Sequence, residues 1–332
     1  MINLKNPETA FAIDAVRRAA LLVKHIQAEM VTSVLTKDDR SPVTVADFAA
    51  QALVGYLLEQ TFPGLSLVGE ENSAILQAPE ERDTLLTITR FIGEIIPHAT
   101  PEKVCAWIDR GAGEAEKRYW TLDPIDGTKG FLRGAQYAVA LALVVDGQPQ
   151  VGVLGCPNLV DGYKVDLDGE GSLLVAARDE GAWVTALEGS QTEFVPLRVS
   201  QETASSQARL LRSFESGHTN AGQIDSFNQA LGGEAEPVRM DSQAKYGVLA
   251  AGHGEIYLRL LSPGRGDYRE KVWDQAAGAV IVEAAGGKVT DLNGKPLDFS
   301  AGRRLINNRG VCVTNGHLHD AALNALKAIG AV

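Results

Sequence analysis

Hydrophobic and polar positions divide the chain into helical and extended stretches. Over residues 7–30, Phe11, Ala15, Leu22 and Ile26 recur near helical spacing, which predicts an amphipathic helix. The polar stretch 36–41 interrupts it, and a second helix is expected from Val45 to about Gln60. Thr44 is its expected N-cap, with Asp47 three residues on, where a capping box places its acid. Residues 65–68 predict a short strand running into Gly69-Glu70-Glu71. Residues 79–96 predict an acid-rich helix, and 104–109 a further helical stretch. An apolar strand then ends at Asp123, and strand patterns follow at 137–145, 151–156, 173–177 and 182–185. Asp146-Gly147 is a hairpin signal between the first two of these. Strands adjacent in sequence imply a mostly antiparallel sheet and an α+β arrangement.

The character changes near residue 200. A strand is expected at 209–214, helices at 221–231 and 242–251, and a strand at 255–260. A helix over 274–285 should stop at Gly286-Gly287, and a strand at 310–314 and a helix at 317–329 close the chain. This alternation predicts an α/β unit. The polar run 200–206 is therefore read as a boundary between an α+β domain, residues 1–200, and an α/β domain, residues 201–332. Clefts between such domains are common ligand sites.

Composition narrows the function. The 332 residues are 45% hydrophobic, enough for a full core. The net charge of −11 argues against a nucleic-acid polymer as partner. An anionic substrate would need cations to reverse the field locally. One reversal lies between Arg239 and Lys271, where six Lys/Arg face four Asp/Glu. The three cysteines, Cys105, Cys156 and Cys312, form no disulfide framework and suit a reducing compartment. The longest apolar run, 137–145, is far below the ~20 residues that span a bilayer. No secretory leader opens the chain. The expectation is a soluble cytoplasmic protein with no membrane partner.

Candidate chemistry concentrates in Trp120-Thr-Leu-Asp-Pro-Ile-Asp-Gly-Thr128. Asp123 and Asp126 stand three apart around a proline at the end of an apolar strand, where two carboxylates repel unless a cation lies between them. Glu70, Glu71 and Asp274 likewise border apolar segments, where a free carboxylate is costly. Asp274 alone also reads as a helix N-cap. Together these acids suit hard divalent ions such as Mg²⁺, which bind carboxylates plus substrate phosphate oxygens. On this reading Asp123 bridges two cations, with Glu70 on one side and Asp126 and Asp274 on the other. Two such ions can stabilise both oxygens of an in-line phosphoryl displacement. Gly127-Thr128 starts a turn or short helix whose amides could hold a phosphate oxygen, and Thr128 with Asp47 could relay a proton.

Four segments resemble the lithium-sensitive, magnesium-dependent phosphatase superfamily that includes inositol monophosphatase: Val68-Gly-Glu-Glu71, Trp120 to Thr128, Trp273-Asp-Gln-Ala-Ala-Gly278 and Glu283-Ala-Ala-Gly-Gly287. Longer blocks are similar to its 3′(2′),5′-bisphosphate nucleotidases of the yeast halotolerance and plant type: Ser41-Pro-Val-Thr-Val-Ala-Asp47, Lys129-Gly-Phe-Leu-Arg-Gly134, Gly155-Cys-Pro-Asn158 and Met240-Asp-Ser-Gln-Ala-Lys-Tyr246. The resemblance implies a layered αβαβα sandwich. It implies hydrolysis of the 3′ phosphate of adenosine 3′,5′-bisphosphate, and of phosphoadenosine phosphosulfate, in support of sulfur assimilation and salt tolerance. Glu70, Asp123 and the Ile125 carbonyl would hold one Mg²⁺. Asp123, Asp126 and Asp274 would hold a second, and a third would sit near Glu70. Li⁺ would inhibit by taking a magnesium site. Asp47 with Thr128 would activate the attacking water. Gly127, Thr128, His218, Ser242, Lys245 and Arg259 would bind the nucleotide, which makes residues 201–332 the nucleotide-side domain. Arg259, in a strand pattern, would find its partner in a substrate phosphate. Two other readings stay open: an inositol polyphosphate 1-phosphatase or broad sugar phosphatase using the same metals, and a non-catalytic nucleotide sensor.

Overall fold

The computed structural model describes residues 2–33, 42–189, 193–214, 221–261 and 267–332. Helical spacing of apolar residues produces α1 (Pro7–Ser33) and α2 (Pro42–Thr61), followed by α3 (Arg82–Ile95) and α4 (Pro101–Asp109). Thr100 caps α4 by accepting from the Lys103 N–H. Helix α2 begins earlier than its pattern predicts. Pro42 starts it, since the fixed φ and missing N–H of proline suit a first helical position. Thr44 and Asp47 therefore lie within the helix, and the capping-box reading of this pair does not hold.

The first sheet takes its strands from β1 (Ser66–Gly69), β2 (Arg118–Asp126), β3 (Ala138–Val145), β4 (Gln148–Cys156), β7 (Ser172–Ala177), β8 (Gly181–Ala186) and β9 (Val195–Leu197). They lie in that order across the sheet. β5 (Leu159–Val160) and β6 (Lys164–Val165) form a separate ribbon, and α5 (Thr128–Leu132) follows β2. Among the described residues, β1 and β2 pair in parallel in this sheet and the other neighbours are antiparallel. Asp146 and Gly147 both adopt positive φ between β3 and β4, as a two-residue type I′ hairpin turn requires.

The second sheet has the order β11 (Val238–Arg239), β10 (Leu210–Arg212), β12 (Ile256–Arg259), β14 (Val311–Thr314) and β13 (Lys288–Thr290). Its pairings are mixed. The helices of this half are α6 (Ala221–Leu231), α7 (Ala244–Ala250), α8 (Ala276–Ala284) and α9 (His319–Ala328). Strands β9 and β13 carry no signal in the sequence. Each has three residues and lies at a sheet edge, too short for a period to register.

Strand alternation builds the layers. Leu122, Val139, Leu141 and Val153 point to one face of the first sheet and pack with α1 to α4. Ala138, Ala140, Ala142 and Leu154 point to the other, where α7 and α8 lie. The small residues admit α8 closely: a Cβ on Gly152 would fall 2.4 Å from Val280. Tyr257, Val311 and Val313 close the same middle core from the second sheet. Ile256, Leu258 and Cys312 face away, into a core with α6 and α9. The result is a five-layer αβαβα sandwich whose middle core draws on both sides of residue 200. Among the described residues, no helix is long and apolar enough to cross a membrane.

Candidate active site

In a regular strand, residues three apart point to opposite faces. Asp123 and Asp126 escape this rule because β2 bulges between them. Asp123 pairs with Ala140 and Asp126 with Ala138, so three steps on β2 match two on β3. Both acids thereby share the face of Ala138 and Ala140, toward the middle layer. Pro124, which cannot donate to a ladder, sits at the bulge where its lack of an N–H costs least. Beyond it, Gly127 adopts φ +94° to start α5. A side chain there would be strained by that φ, and its Cβ would fall 2.8 Å from the Cβ of Ser242. Ser242 itself holds φ +62°, with its hydroxyl accepting from the Ala244 N–H at 3.1 Å.

Glu70 follows β1 directly, in parallel register with β2. Its turn is pinned from α2. Gln51 lies one turn beyond Asp47 on the same helix face. Its amide accepts from the Glu71 N–H at 3.0 Å and donates to the carbonyls of Glu71 and Ile108, at 2.6 and 2.8 Å. Gly69 leaves room for this amide, since a Cβ there would come within 2.5 Å of Gln51 Oε1. Asp274 precedes α8, whose first flanking residue is Gln275 rather than Asp274, so Asp274 is not the cap of that helix. Gln243 links the two sides of the site. Its backbone N–H donates to Asp126 Oδ2 at 2.7 Å, its side chain donates to the Trp273 carbonyl at 3.0 Å, and it accepts from the Gly278 N–H at 3.2 Å. Arg303 donates to the carbonyls of Gly69 and Gly111 while its guanidinium lies over the Trp273 ring.

These elements enclose a cavity of about 390 Å³ lined by Glu70, Asp123, Ile125, Asp126, Gly127, Thr128, Ser242, Lys245, Arg259 and Asp274, among others. Asp47 is not in its wall but shares its field. Of the described residues that the sequence singled out for the site, the cavity wall holds all but Asp47 and Glu71. His218 lies outside the described residues.

Every central acid is pushed toward its protonated form. Burial raises Asp123 well above the usual carboxylate range, and the charges of Glu70, Asp126, Asp274 and Asp47 add to it. Burial, then Glu71 and Asp126, lifts Glu70 to about 7, with Lys271 opposing. Burial also raises Asp274, partly countered by Arg259, and Asp126, countered by Lys245 and Arg259. Asp47 is raised by burial and then by Glu71 and Glu70. The neighbouring Asp123 side chain also opposes the rise on Glu70. Asp123 Oδ1 is buried with no partner.

The donor set fits a hard cation. It is oxygen-only, it carries an orphaned carboxylate oxygen, and its mutual repulsion would be relieved by positive charge. Among the described residues, no three His, Cys, Asp or Glu side chains are grouped so that they could hold a metal ion as they stand. Glu70, Asp123, Asp126 and Asp274 line the cavity instead.

The same cavity also carries cations, Lys245 and Arg259. Lys245 is buried, and its ammonium donates to Ser213 Oγ and the Met240 carbonyl, at 3.3 and 3.2 Å, beside the Tyr257 ring. Burial lowers it to about 8 against the pull of Asp126. Arg259 already has a partner within the protein, so burial does not by itself call for a substrate phosphate: its Nη2 donates to Glu270 at 2.8 Å. Sequence reasoning passed over Gln51, Gln243, Glu270 and Arg303. An amide in the middle of the largely apolar run 48–58 was the available signal for Gln51. The others act through backbone carbonyls or distant partners that no local pattern encodes.

The chain belongs to the inositol monophosphatase family, whose model matches residues 4–331. It is 40% identical over 340 residues to a 3′(2′),5′-bisphosphate nucleotidase of Schizosaccharomyces pombe, covering 97% of this chain and 95% of the relative. It is 42% identical over 339 residues to one of Oryza sativa, covering 96% and 93%. Among solved structures, the fold is similar to CysQ from Bacteroides thetaiotaomicron, a bacterial member of the family. The TM-score is 0.64 at 19% identity, covering 95% of this chain and 99% of that one. It is also similar to Mycobacterium tuberculosis SuhB, with TM-score 0.63 at 22% identity, covering 97% and 96%.

Proposed function

We propose that this chain is a magnesium-dependent 3′(2′),5′-bisphosphate nucleotidase that converts adenosine 3′,5′-bisphosphate to AMP and phosphate and also acts on phosphoadenosine phosphosulfate. The observation that carries the reading is a cavity lined by clustered, mutually repelling carboxylates together with Lys245 and Arg259. Curated relatives bearing that name align over nearly the whole chain, which supports the substrate class.

Glu70, Asp123, Asp126, Asp274 and the Ile125 carbonyl would hold two to three Mg²⁺, and Li⁺ would compete for one of these positions. When bound, the ions supply Lewis acidity and neutralise charge on the transferring phosphoryl group. Asp47 and Thr128 would form the proton path from the attacking water, Thr128 lining the cavity and Asp47 lying outside its wall. The amides of Gly127 and Thr128 orient a phosphate oxygen. Ser242, Lys245 and Arg259, with His218, hold the nucleotide's remaining phosphate and base, Arg259 through its planar fork. The division near residue 200, into a half with most metal ligands and a half with the nucleotide side and Asp274, belongs to the same proposal, as does a cytoplasmic setting in sulfur assimilation and salt tolerance.

Phosphate release from adenosine 3′,5′-bisphosphate, beside inositol 1,4-bisphosphate, with Mg²⁺ and then added Li⁺, tests it. Preference for the nucleotide and loss of activity with Li⁺ are expected. Preference for the inositol compound would overturn the substrate assignment. Tight nucleotide binding without turnover would overturn the enzyme.

A further inference from the structure

Arg259 ends β12 within reach of two acids that differ in kind. Its Nη2 donates to Glu270 Oε2 at 2.8 Å and stands 4.0 Å from Asp274 Oδ2. The Glu270 side chain is only 5% exposed, against 23% for Asp274. Glu270 is also fixed on several sides. Its Oε2 accepts from Gln275 Nε2 at 3.0 Å, and Gln275 Oε1 takes the O–H of buried Tyr246. Its carbonyl accepts from the Leu305 N–H at 2.9 Å. This buried chain joins the segments that carry Lys245, Arg259 and Asp274, since Tyr246 follows Lys245 and Gln275 follows Asp274.

Such an arrangement sets up a competition. Glu270 and Asp274 are the acids recorded within ion-pair distance of Arg259 among the described residues. Without the charge of Glu270, the acid left at ion-pair distance from the guanidinium, among the described residues, is Asp274. An ion pair there would place a fixed cation on oxygens that a divalent ion needs and would draw the Arg259 donors away from the direction that Glu270 fixes. Neither Lys245, whose ammonium is bonded to Ser213 and Met240, nor Arg303, engaged by Gly69 and Gly111, occupies that position.

We propose that Glu270 is a positioning residue: by holding the Arg259 guanidinium it keeps Asp274 open to a divalent cation and leaves Arg259 aimed at the second anionic group of the substrate. The substrate half of this statement rests on the nucleotidase reading; the cation half does not.

The test begins with Mn²⁺, titrated by electron paramagnetic resonance into the metal-stripped full chain. Glu270→Gln keeps the size of the side chain and one acceptor for Arg259 and Gln275 but removes the charge. It should bind Mn²⁺ about tenfold more weakly, the scale of losing a partner outside the ligand shell. Adding Arg259→Met should restore binding to within about threefold of wild type, because the competing cation is gone. A merely structural Glu270 would leave the double variant as weak as the single one or weaker. At saturating Mg²⁺, Glu270→Gln should raise KM for adenosine 3′,5′-bisphosphate more than for adenosine 3′-monophosphate, with kcat little changed. Urea unfolding checks that each variant is folded. If Glu270→Gln is not, Glu270→Asp keeps the charge at shorter reach and should show a smaller loss, again reversed by Arg259→Met. Unchanged Mn²⁺ affinity in Glu270→Gln, or a double variant no better than the single, overturns the proposal. If wild type hydrolyses neither nucleotide, the nucleotidase reading falls while the Mn²⁺ comparison still decides the role of Glu270.

Discussion

Gln51 and Glu71 exchange two hydrogen bonds, Glu71 N–H to Gln51 Oε1 at 3.0 Å and Gln51 Nε2 to the Glu71 carbonyl at 2.6 Å. One buried amide on α2 thus satisfies both backbone groups beside Glu70. Gln51→Leu would leave those groups and the Ile108 carbonyl without this partner. A loss of about 2–4 kcal/mol in urea unfolding is expected, since each orphaned buried group costs about 1–3 kcal/mol. Phosphatase activity should fall with it, because the backbone beside Glu70 is released. A variant as stable and active as wild type would show that water replaces the amide.

Asp123 stands at the centre of the repulsion, 3% exposed and with one oxygen unpartnered. Asp123→Asn removes a charge that burial and four neighbouring acids already oppose. Activity should drop by about 10³-fold or more, the scale of removing a transition-state electrostatic group. The Tm of the metal-free protein should hold or rise. Added Mg²⁺ should raise the Tm of wild type, because a ligand that binds only the folded state stabilises it. That rise should shrink in the variant. A large fall in the metal-free Tm would contradict this account.

Gly127 occupies a backbone conformation and a space that exclude a side chain. Gly127→Ala meets both φ +94° and the Ser242 Cβ at 2.8 Å. Destabilisation of about 1–2 kcal/mol follows from the left-handed backbone alone. Because the shift would move Thr128 and Ser242 together, kcat should fall further than stability. Thermal melts and single-turnover rates on the same preparation separate the two effects.

His319 is buried at the start of α9 between two threonines. The Thr290 hydroxyl donates to the Asp291 carbonyl, so it receives the His319 Nε2–H at 3.1 Å, and Nδ1 accepts from Thr314 at 3.0 Å. That pattern needs a neutral ring. Burial, with Lys288 adding, lowers its pKa to about 4, and the positive end of the helix dipole acts in the same sense. The unfolded ring takes a proton near pH 6.5. Between these values the unfolded state binds more protons, so stability falls as pH drops from about 6.5 toward 4. The raised carboxyls of the cavity act in the opposite sense as pH falls, so the His319 contribution is read as a difference: from pH 7 to pH 5 the urea midpoint of wild type should fall relative to that of His319→Gln. An equal slope in the variant would assign the effect to other groups.

Local pattern settled a good deal of this protein. Apolar spacing over residues 7–30 and the apolar runs that became β3, β4 and β7 identify their elements, because period and burial are properties of a few consecutive residues. The acid-bearing turns were also legible, since buried carboxylates at strand ends are too costly to be incidental. The start of α2 was misplaced because a proline at the first helical position outweighed the Thr44 cap signal.

What the residues could not show was which distant groups would meet. That Asp123 and Asp126 share a face depends on a bulge set by pairing with β3. That Arg259 answers to Glu270, Gln51 to Glu71 and Gln243 to both Asp126 and Trp273 depends on how α2, α7 and β12 stack across the layers. A sequence dictates each element's period and ends through short-range sterics and hydrogen bonding. The partners of its buried polar groups are decided only when separate elements pack and each such group must find a bond or lose stability.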